Sequence, residues 1–410
     1  MKFGNLKLRR ALLMMFPMGF ASGLPLALSG GTLQAWLTTA GVDIRTIGLF
    51  SMVALPYTFK FVWSPLMDGI CLPFLGRRRG WIFLCQMFLA ALCATMALLN
   101  PQKETATLAC AAFLLAFFSA SQDIVIDAYR TDILEERERG LGVGLTVTGY
   151  RVAMLVSGAL ALILSDHIGW KNTYLSMAAL MATVAIFTLL APEPETGSDC
   201  SIGLAKAVMA PLKDLFFRKA IIPMLLLIVL YKLGDAFAGT LTTAFLIRGA
   251  GFTPTDVGTI NKGLGLLATI LGAMTGGALM TRMGLFQSLM FFGILQAISN
   301  LAFMALAAVG KSYAMMIFAV GLENICGGMG TAAFVSLLMA ICNVRFSATQ
   351  YALLSALASV GRVFVGPPSG YLVSLLGWMK FFFVTFLVAL PGLVLLYYLR
   401  ETINRIEKKV

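Results

Sequence analysis

One run of the sequence places two carboxylates and a guanidinium on the same side of a long apolar segment. At about 100° per residue, Ser119, Asp123, Asp127 and Arg130 fall within an arc of roughly 80° of one helix. A carboxylate in such a setting can take up and release a proton, and a guanidinium can bind a carboxylate with two parallel hydrogen bonds. The pattern therefore predicts proton exchange or the binding of an anionic substrate.

The segment that carries these residues is long enough to cross a bilayer. Apolar residues 108–118 lead into it without a turn signal, which predicts one helix from about Thr105 to about Thr131. Each charge facing lipid would cost about 3 kcal/mol or more, so the charged arc must face protein or a water-filled cavity. An ion-pair network that only holds helices together is the alternative, but two acids and a base on one stripe favour a functional site.

Further charged residues occur inside other apolar segments: Lys60, Arg151, Lys232, Lys262, Arg362, Asp235 and Glu323. Lys232 and Asp235 are three residues apart, a spacing that suits a pair within one helix, and mutual neutralisation is the simpler interpretation of them. Lys60 could extend its ammonium to the membrane edge. Arg362 follows a run of small residues, and Glu323 precedes three glycines at which a kink could widen a cavity, so both are candidates for a functional role.

The composition is that of a membrane protein. Of 410 residues, 59% are hydrophobic and 12% are charged, whereas soluble domains carry about 25% charged residues. Seven cysteines show no paired spacing, so neither a disulfide framework nor a metal site is expected. The sequence contains no Walker loop, no HExxH and no G-x-S-x-G motif. We therefore expect no cofactor, and neither ATP-driven transport nor an enzyme is supported.

Hydropathy predicts an all-α polytopic protein with twelve transmembrane helices. A polar stretch with two prolines and a glycine divides them into two six-helix halves, residues 1–191 and 219–410, joined by a linker at 192–218. The predicted spans are residues 11–38, 46–67, 81–99, 105–131, 141–165, 172–191, 219–247, 256–280, 285–309, 312–341, 347–375 and 379–399.

The lysines and arginines predict the orientation of these spans. With the N-terminus inside, 19 of the 31 basic residues lie on the inner side and 6 on the outer side. Cytoplasmic loops carry the excess of basic residues, so both termini are expected in the cytoplasm. The same rule explains the net charge of +12, which we do not attribute to nucleic-acid binding.

The two halves also resemble each other in sequence. Thr46-Ile47-Gly48 opens the second span and Asp256-Val257-Gly258 opens the eighth, 210 positions later. A turn with Asp68, Arg77 and Arg78 follows the second span, and a shorter turn without the acid follows the eighth. Two such halves resemble the major facilitator superfamily, and this resemblance implies a gating role for Asp68, Arg77 and Arg78.

Longer stretches resemble one family within that superfamily, the AmpG muropeptide permeases. These stretches are residues 19–28, 32–37, 59–68, 76–81, 119–124, 330–334, 346–350 and 361–362. The resemblance implies import of N-acetylglucosaminyl-1,6-anhydro-N-acetylmuramyl peptides across the bacterial inner membrane for peptidoglycan recycling. It also implies proton symport and an influence on β-lactamase induction. Shorter relatives import siderophores, so another solute remains the main alternative, and a membrane-embedded enzyme or scaffold is the second.

A muropeptide carries sugar hydroxyls, amides and peptide carboxylates, which suggests roles for particular side chains. Hydroxyl and amide partners are predicted at Gln34, Tyr57, Ser119, Gln122 and Tyr150, and cationic partners at Arg130, Arg151 and Arg362. Glu323 completes the predicted substrate-binding set, and Asp123 and Asp127 are the predicted proton-coupling residues. The expected partners are the muropeptide, protons and the lipid bilayer, with no nucleic acid, and the protein is expected to act as a monomer.

Overall fold

The computed structural model describes residues 2–64, 67, 75–134, 139–194, 221–342 and 347–407. These residues form helices and connecting turns, and no β-strand occurs among them. The helices before residue 195 are α1 (Lys2–Leu28), α2 (Gly31–Thr39), α3 (Ile44–Leu49), α4 (Leu55–Phe59), α5 (Arg77–Leu98), α6 (Thr105–Ile133), α7 (Arg139–Met154) and α8 (Ala161–Leu190). Two 3₁₀ segments, Phe50–Ala54 and Lys60–Val62, and one π-helical segment, Leu155–Leu160, join some of them.

The helices after residue 220 are α9 (Ile221–Thr240), α10 (Thr242–Ala244), α11 (Pro254–Asp256), α12 (Gly265–Met283), α13 (Leu285–Val309), α14 (Tyr313–Ile341), α15 (Ser347–Phe364), α16 (Gly366–Tyr398) and α17 (Arg400–Glu407). Two π-helical segments, Phe245–Gly249 and Val257–Leu264, continue α10 and α11. Polar Lys262 lies within the second of these segments.

Nine helical stretches in the described part of the chain are long and apolar enough to cross a membrane. Two of them, Leu141–Leu190 and Leu353–Tyr398, each contain a glycine with positive φ and extended ψ, Gly169 and Gly377, so each comprises two predicted spans. With these divided and the interrupted segment at Ile44–Val62 included, the described helices agree with the twelve predicted spans. The all-α membrane fold is confirmed.

The first two predicted spans are not continuous helices. The first ends at Leu28 and resumes at Gly31, because Gly30 has φ −119° and ψ −111°, outside the helical region. The second consists of short α and 3₁₀ pieces. Pro56 lies at the start of α4, where its missing N–H and fixed φ suit the beginning of a helix and not its interior.

The chain divides into two compact units. Unit 1 comprises Met1–Val42 and Val53–Ile202, and unit 2 comprises Asp43–Met52 and Gly203–Val410. Most of the predicted linker at 192–218 lies outside the described residues. The beginning of the second span therefore packs within unit 2, and the remainder of that span within unit 1.

In unit 1, α1 packs closely along α7, and α5 packs on both α6 and α8. A Cβ on Gly19 would overlap the carbonyl of Thr146, so the α1–α7 approach requires glycine at that position. Met15, Met18 and Ile82 lie in a buried apolar cluster with Val125 and Tyr129 of α6. This packing holds the acidic stripe of α6 against α1.

In unit 2, α14 lies between α12 and α13, and α9 packs on α15 and α16. Gly328 of α14 meets the carbonyl of Thr269, a contact that a Cβ would block. A buried cluster on α9, α13 and α14 includes Tyr231, Phe292 and Phe334. These three helices carry most of the charged residues described below for unit 2.

Candidate functional site

The acidic stripe predicted from the sequence lies on α6, which is continuous as expected. Exposure increases from Ser119 to Asp127: Ser119 is fully buried, Asp123 is half-buried and the Asp127 side chain is 59% exposed. Ser22 Oγ of α1 donates a hydrogen bond to Asp123 Oδ1 at 2.5 Å. Asp127 Oδ1 forms an ion pair with Arg130 Nη2 at 3.1 Å. An ion pair, the alternative for this stripe, is therefore present at Asp127, whereas Asp123 contacts a neutral hydroxyl.

Phenol and hydroxyl groups lie near Asp123. The hydroxyl of Tyr57, on α4, is buried beside Ser119 and interacts electrostatically with Asp123 and Tyr150. The ammonium of Lys60 interacts electrostatically with Asp123 as well. The structure thus brings Tyr57 and Tyr150 near two residues of the predicted stripe, Ser119 and Asp123.

Two buried glutamines in unit 1 have incomplete hydrogen bonding. Gln122 of α6 and Gln86 of α5 are fully buried, and neither side-chain amide has a hydrogen-bond partner within the described ranges. An unsatisfied buried polar group costs about 1–3 kcal/mol, so such amides are usually completed by a water or a ligand. Among the other predicted residues, Gln34 is half-buried on α2 and Arg151 is exposed on α7.

The turn before α5 is tied to the ends of α6 and α8. Arg78 Nε donates to Asp132 Oδ2 at 2.8 Å, and the Glu193 carboxylate accepts the backbone N–H of Arg78 at 2.7 Å and that of Arg79 at 3.0 Å. Carboxylates are favoured at a helix N-terminus, where backbone N–H groups have no helical partner. Arg77 occupies the first position of α5 and is half-buried, and Asp68 lies outside the described residues.

In unit 2, Lys232 and Asp235 form the pair that their spacing predicted. Lys232 Nζ lies 3.4 Å from Asp235 Oδ2 and 3.3 Å from Thr331 Oγ1. Gln296 Nε2 of α13 donates to the same Asp235 oxygen at 2.5 Å. A Cβ on Gly330 would overlap the Gln296 amide, so the absence of a side chain there makes room for this contact. Three helices therefore meet at Asp235.

The charged cluster continues from Asp235 to neighbouring helices. Glu323 of α14 interacts electrostatically with Asp235, Lys232 and Lys262, and Asp235 interacts with Arg362 of α15. Asn324 Nδ2 donates to Glu323 Oε2 at 2.8 Å, and Lys262 Nζ lies 3.4 Å from Thr243 Oγ1. Both residues predicted in this half, Glu323 and Arg362, thus belong to one cluster. Across the described ranges, no three His, Cys, Asp or Glu side chains are arranged to hold a metal ion.

Comparison with known proteins identifies the family. A family model described as Major Facilitator Superfamily matches residues 15–309. The anhydromuropeptide permease of Escherichia coli (strain K12) is 54% identical over 388 residues, which cover 94% of this chain and 79% of that protein. The chain belongs to the AmpG permease family of the major facilitator superfamily. It is a multi-pass membrane transporter and not an enzyme, since its relatives are permeases.

Solved structures support the fold of this AmpG-family permease. A bacterial homolog of the human lysosomal transporter Spinster, in an inward-facing and unoccupied conformation, has a TM-score of 0.75 at 15% identity and covers 98% of each chain. A POT family transporter in complex with 5-aminolevulinic acid has a TM-score of 0.73 at 14% identity, covering 97% of this chain and 96% of its own. At such low identity these likenesses show the fold alone.

Several residues of this AmpG-family permease were not predicted as site residues. The sequence identifies Lys232, Asp235 and Lys262 as intramembrane charges, but the spacing of the first two favours a pair that neutralises itself. Gln296 and Ser22 received no role. A polar residue within an apolar run is the available signal for Gln296, whereas a serine in a membrane helix is too common to be informative.

Proposed function

We propose that this permease imports anhydromuropeptides, N-acetylglucosaminyl-1,6-anhydro-N-acetylmuramyl peptides, from the periplasm to the cytoplasm by proton symport. The observation that carries the proposal is 54% identity, over 94% of the chain, to the E. coli protein named anhydromuropeptide permease. Such import would supply peptidoglycan recycling and would influence β-lactamase induction through the muropeptides delivered to the cytoplasm.

The geometry of unit 1 supports recognition of the neutral part of such a substrate. Tyr57 and Ser119 present hydroxyl groups side by side, and the Gln122 amide has both donor and acceptor capacity unused within the described residues. Sugar hydroxyls and acetamido groups need donors and acceptors of this kind. We assign Gln34 and Tyr150 to the same role, because Tyr150 interacts with Tyr57 and Gln34 lies half-buried on α2.

Peptide carboxylates require cationic partners. We assign Arg362 and Arg151 to this role, since both are exposed side chains on predicted spans. Arg130 is a further candidate, although it forms an ion pair with Asp127. Glu323 is assigned to substrate binding through its place in the cluster of unit 2.

Proton coupling is assigned to Asp123 in preference to Asp127. Asp123 is half-buried and hydrogen-bonded to a hydroxyl, so it can gain a proton without breaking an ion pair of its own. Asp127 is exposed and would have to give up its contact with Arg130. Gating remains our proposal for Asp68, Arg77 and Arg78, and Asp132 and Glu193 are the groups that Arg78 contacts.

We further propose that the permease lies in the bacterial inner membrane as a monomer with both termini in the cytoplasm. The excess of basic residues on the predicted inner side supports this topology. A reporter that is active only in the cytoplasm is expected to be active when it is fused at Val410. A periplasmic signal from that fusion would contradict the topology.

Uptake by proteoliposomes tests the transport proposal. Purified full-length permease should accumulate labelled anhydromuropeptide when an inward proton gradient is imposed, and should lose that accumulation when an ionophore collapses the gradient. Accumulation that does not depend on the proton gradient would contradict proton symport but would still support the proposed substrate. Uptake of a labelled siderophore in place of the muropeptide would reject the substrate.

A further inference from the structure

The charged cluster of unit 2 contains more cations than carboxylates. Its described members are Lys232, Lys262 and Arg362 against Asp235 and Glu323, and each interacts electrostatically with at least one of the others. With all five ionised, the cluster carries one positive charge in excess. Unbalanced charge within membrane-spanning helices is costly, so this region attracts an anion.

Lys232 is the cation of this cluster that forms a direct ion pair with Asp235, and that ion pair is long. Its Nζ lies 3.4 Å from Asp235 Oδ2, 3.3 Å from Thr331 Oγ1 and 5.5 Å from the centre of the Phe334 ring. A well-formed hydrogen bond between an ammonium and a carboxylate measures about 2.7–2.9 Å, and an ammonium has three N–H donors. The side chain also keeps 17% of its surface exposed. Lys232 therefore has both donor capacity and access for another carboxylate.

Asp235 has a second partner that does not depend on Lys232. Gln296 Nε2 reaches the same carboxylate oxygen at 2.5 Å, and Gln296 is itself only 4% exposed. A side-chain amide carries both a donor and an acceptor, so Gln296 can bind a charged Asp235 through its N–H and a protonated Asp235 through its oxygen. Asp235 can thus change its protonation state while staying in position.

A substrate carboxylate that binds Lys232 competes with Asp235 for the same ammonium. We propose that Lys232 binds a peptide carboxylate of the transported substrate, and that a proton on Asp235 releases Lys232 to do so. One proton and one carboxylate then bind to the cluster together, and its net charge does not change. This inference rests on the proposed import of an anionic muropeptide and names the group that recognises its charged end.

Other groups around Asp235 also affect its charge. These groups lie on four helices: Tyr231 and Lys232 on α9, Gln296 on α13, Glu323 and Cys326 on α14, and Arg362 on α15. The negative charge of Glu323 disfavours the ionised form of Asp235, and the positive charges of Lys232 and Arg362 favour it. Among these described neighbours, Lys232 is the cation within ion-pair distance of Asp235, which is why its release is the step tied to the proton.

The test measures binding to the purified full-length permease between pH 5.5 and 8.5. One probe is the labelled anhydromuropeptide, and the other is the same molecule with its peptide carboxylates converted to amides. For the unaltered protein, affinity for the acidic probe should fall as pH rises, because ionised Asp235 again forms its ion pair with Lys232. Asp235→Asn should bind the acidic probe with nearly constant affinity over this range. Lys232→Gln should lower the affinity for the acidic probe by roughly tenfold to a hundredfold, and it should change the affinity for the amidated probe little.

Removal of one partner can destabilise a protein, so the double variant Lys232→Gln/Asp235→Asn is measured with the single variants. It leaves no unpaired charge of this pair and should bind both probes with similar, pH-independent affinity. The inference is overturned if Asp235→Asn keeps the pH dependence of the unaltered protein, or if the double variant still prefers the acidic probe. An unaltered protein that binds neither probe at any pH would overturn the proposed function, and this inference with it.

Discussion

The carboxylates of unit 1 and unit 2 are held by different kinds of partner. Asp123 in unit 1 accepts a hydrogen bond from the Ser22 hydroxyl and interacts electrostatically with Tyr57, Lys60 and Asp127. Asp235 in unit 2 contacts both an ammonium and an amide and belongs to a cluster of five charges. The first carboxylate can titrate without breaking an ion pair, and the second cannot.

This difference suggests which chemical groups of a substrate each region, taken by itself, would suit. Neutral donors and acceptors suit the sugars, and cations that are only loosely neutralised suit the peptide carboxylates. A proton on Asp123 would change the charge of unit 1 alone, whereas a proton on Asp235 would make a cation available. Variants that exchange or remove these partners can test whether the two regions differ as proposed.

The largest expected effect is on accumulation when the titratable group of unit 1 is removed. Asp123→Asn keeps the shape of the side chain and its capacity to bind Ser22, but it cannot carry a proton. We expect the ratio of internal to external muropeptide under a proton gradient to fall to about one, while exchange without a gradient continues. Counterflow and gradient-driven uptake in the same proteoliposomes measure the two quantities.

The matched variant is Asp127→Asn on the same helix. Because Asp127 is exposed and paired with Arg130, its loss should reduce accumulation much less than the loss of Asp123. Stable Asp123→Asn protein that still accumulates substrate in response to the gradient would show that unit 1 does not carry the proton, and Asp235 would then be the remaining candidate.

The next effect compares a tight ion pair in unit 1 with the loose pair in unit 2. Arg78 and Asp132 are 2.8 Å apart with side chains 9% and 22% exposed, so Asp132→Asn should lower the free energy of unfolding by about 2 kcal/mol. Asp235→Asn, at a 3.4 Å pair, should cost about 1 kcal/mol. Chemical denaturation in detergent micelles measures both. Equal losses would mean that Lys232 is bound as firmly as Arg78.

An exposed pair provides the control for this measurement. Glu401 and Arg405 on α17 are 3.6 Å apart with side chains 73% and 79% exposed. Solvent screens such a pair, so Glu401→Gln should change the free energy of unfolding by less than about 0.5 kcal/mol.

Sequence reasoning worked where the contacts are local and failed where they join distant helices. The stripe on α6 and the Lys232–Asp235 pair follow from helical spacing, and both are present in the structure. Ser22 is 101 positions from Asp123, and Gln296 is 61 positions from Asp235. No periodicity within one helix indicates which face of another helix it meets. The interruption after Leu28 depends on the backbone conformation at Gly30, which hydropathy does not predict.

A smaller effect is expected from the two exposed arginines. Arg362 interacts with Asp235 in unit 2, whereas Arg151 lies on α7 in unit 1. Arg362→Gln should weaken uptake of the acidic muropeptide by about tenfold relative to the amidated one, and Arg151→Gln by only about two- to threefold. Initial uptake rates of both probes give the ratio. If Arg362→Gln reduces uptake of the two probes equally, Arg362 is a structural ion-pair partner and not a substrate ligand.

The last expected effect is a change in stability whose sign should differ between the units. Gln122 is fully buried with no partner for its amide in the described residues, whereas the Gln296 amide holds Asp235 at 2.5 Å. Gln122→Met removes an unsatisfied polar group and should raise the free energy of unfolding by about 1 kcal/mol, measured without substrate. Gln296→Met leaves a carboxylate without its amide donor and should lower the free energy of unfolding by about 1.5 kcal/mol.

The same pair of variants should also differ in binding. Gln122→Met should lower the affinity for the amidated muropeptide by a few fold, because the amide that we assign to the sugars is gone. A loss of stability in Gln122→Met would instead indicate that an internal partner or a fixed water already satisfies this amide, and would remove it from the substrate site.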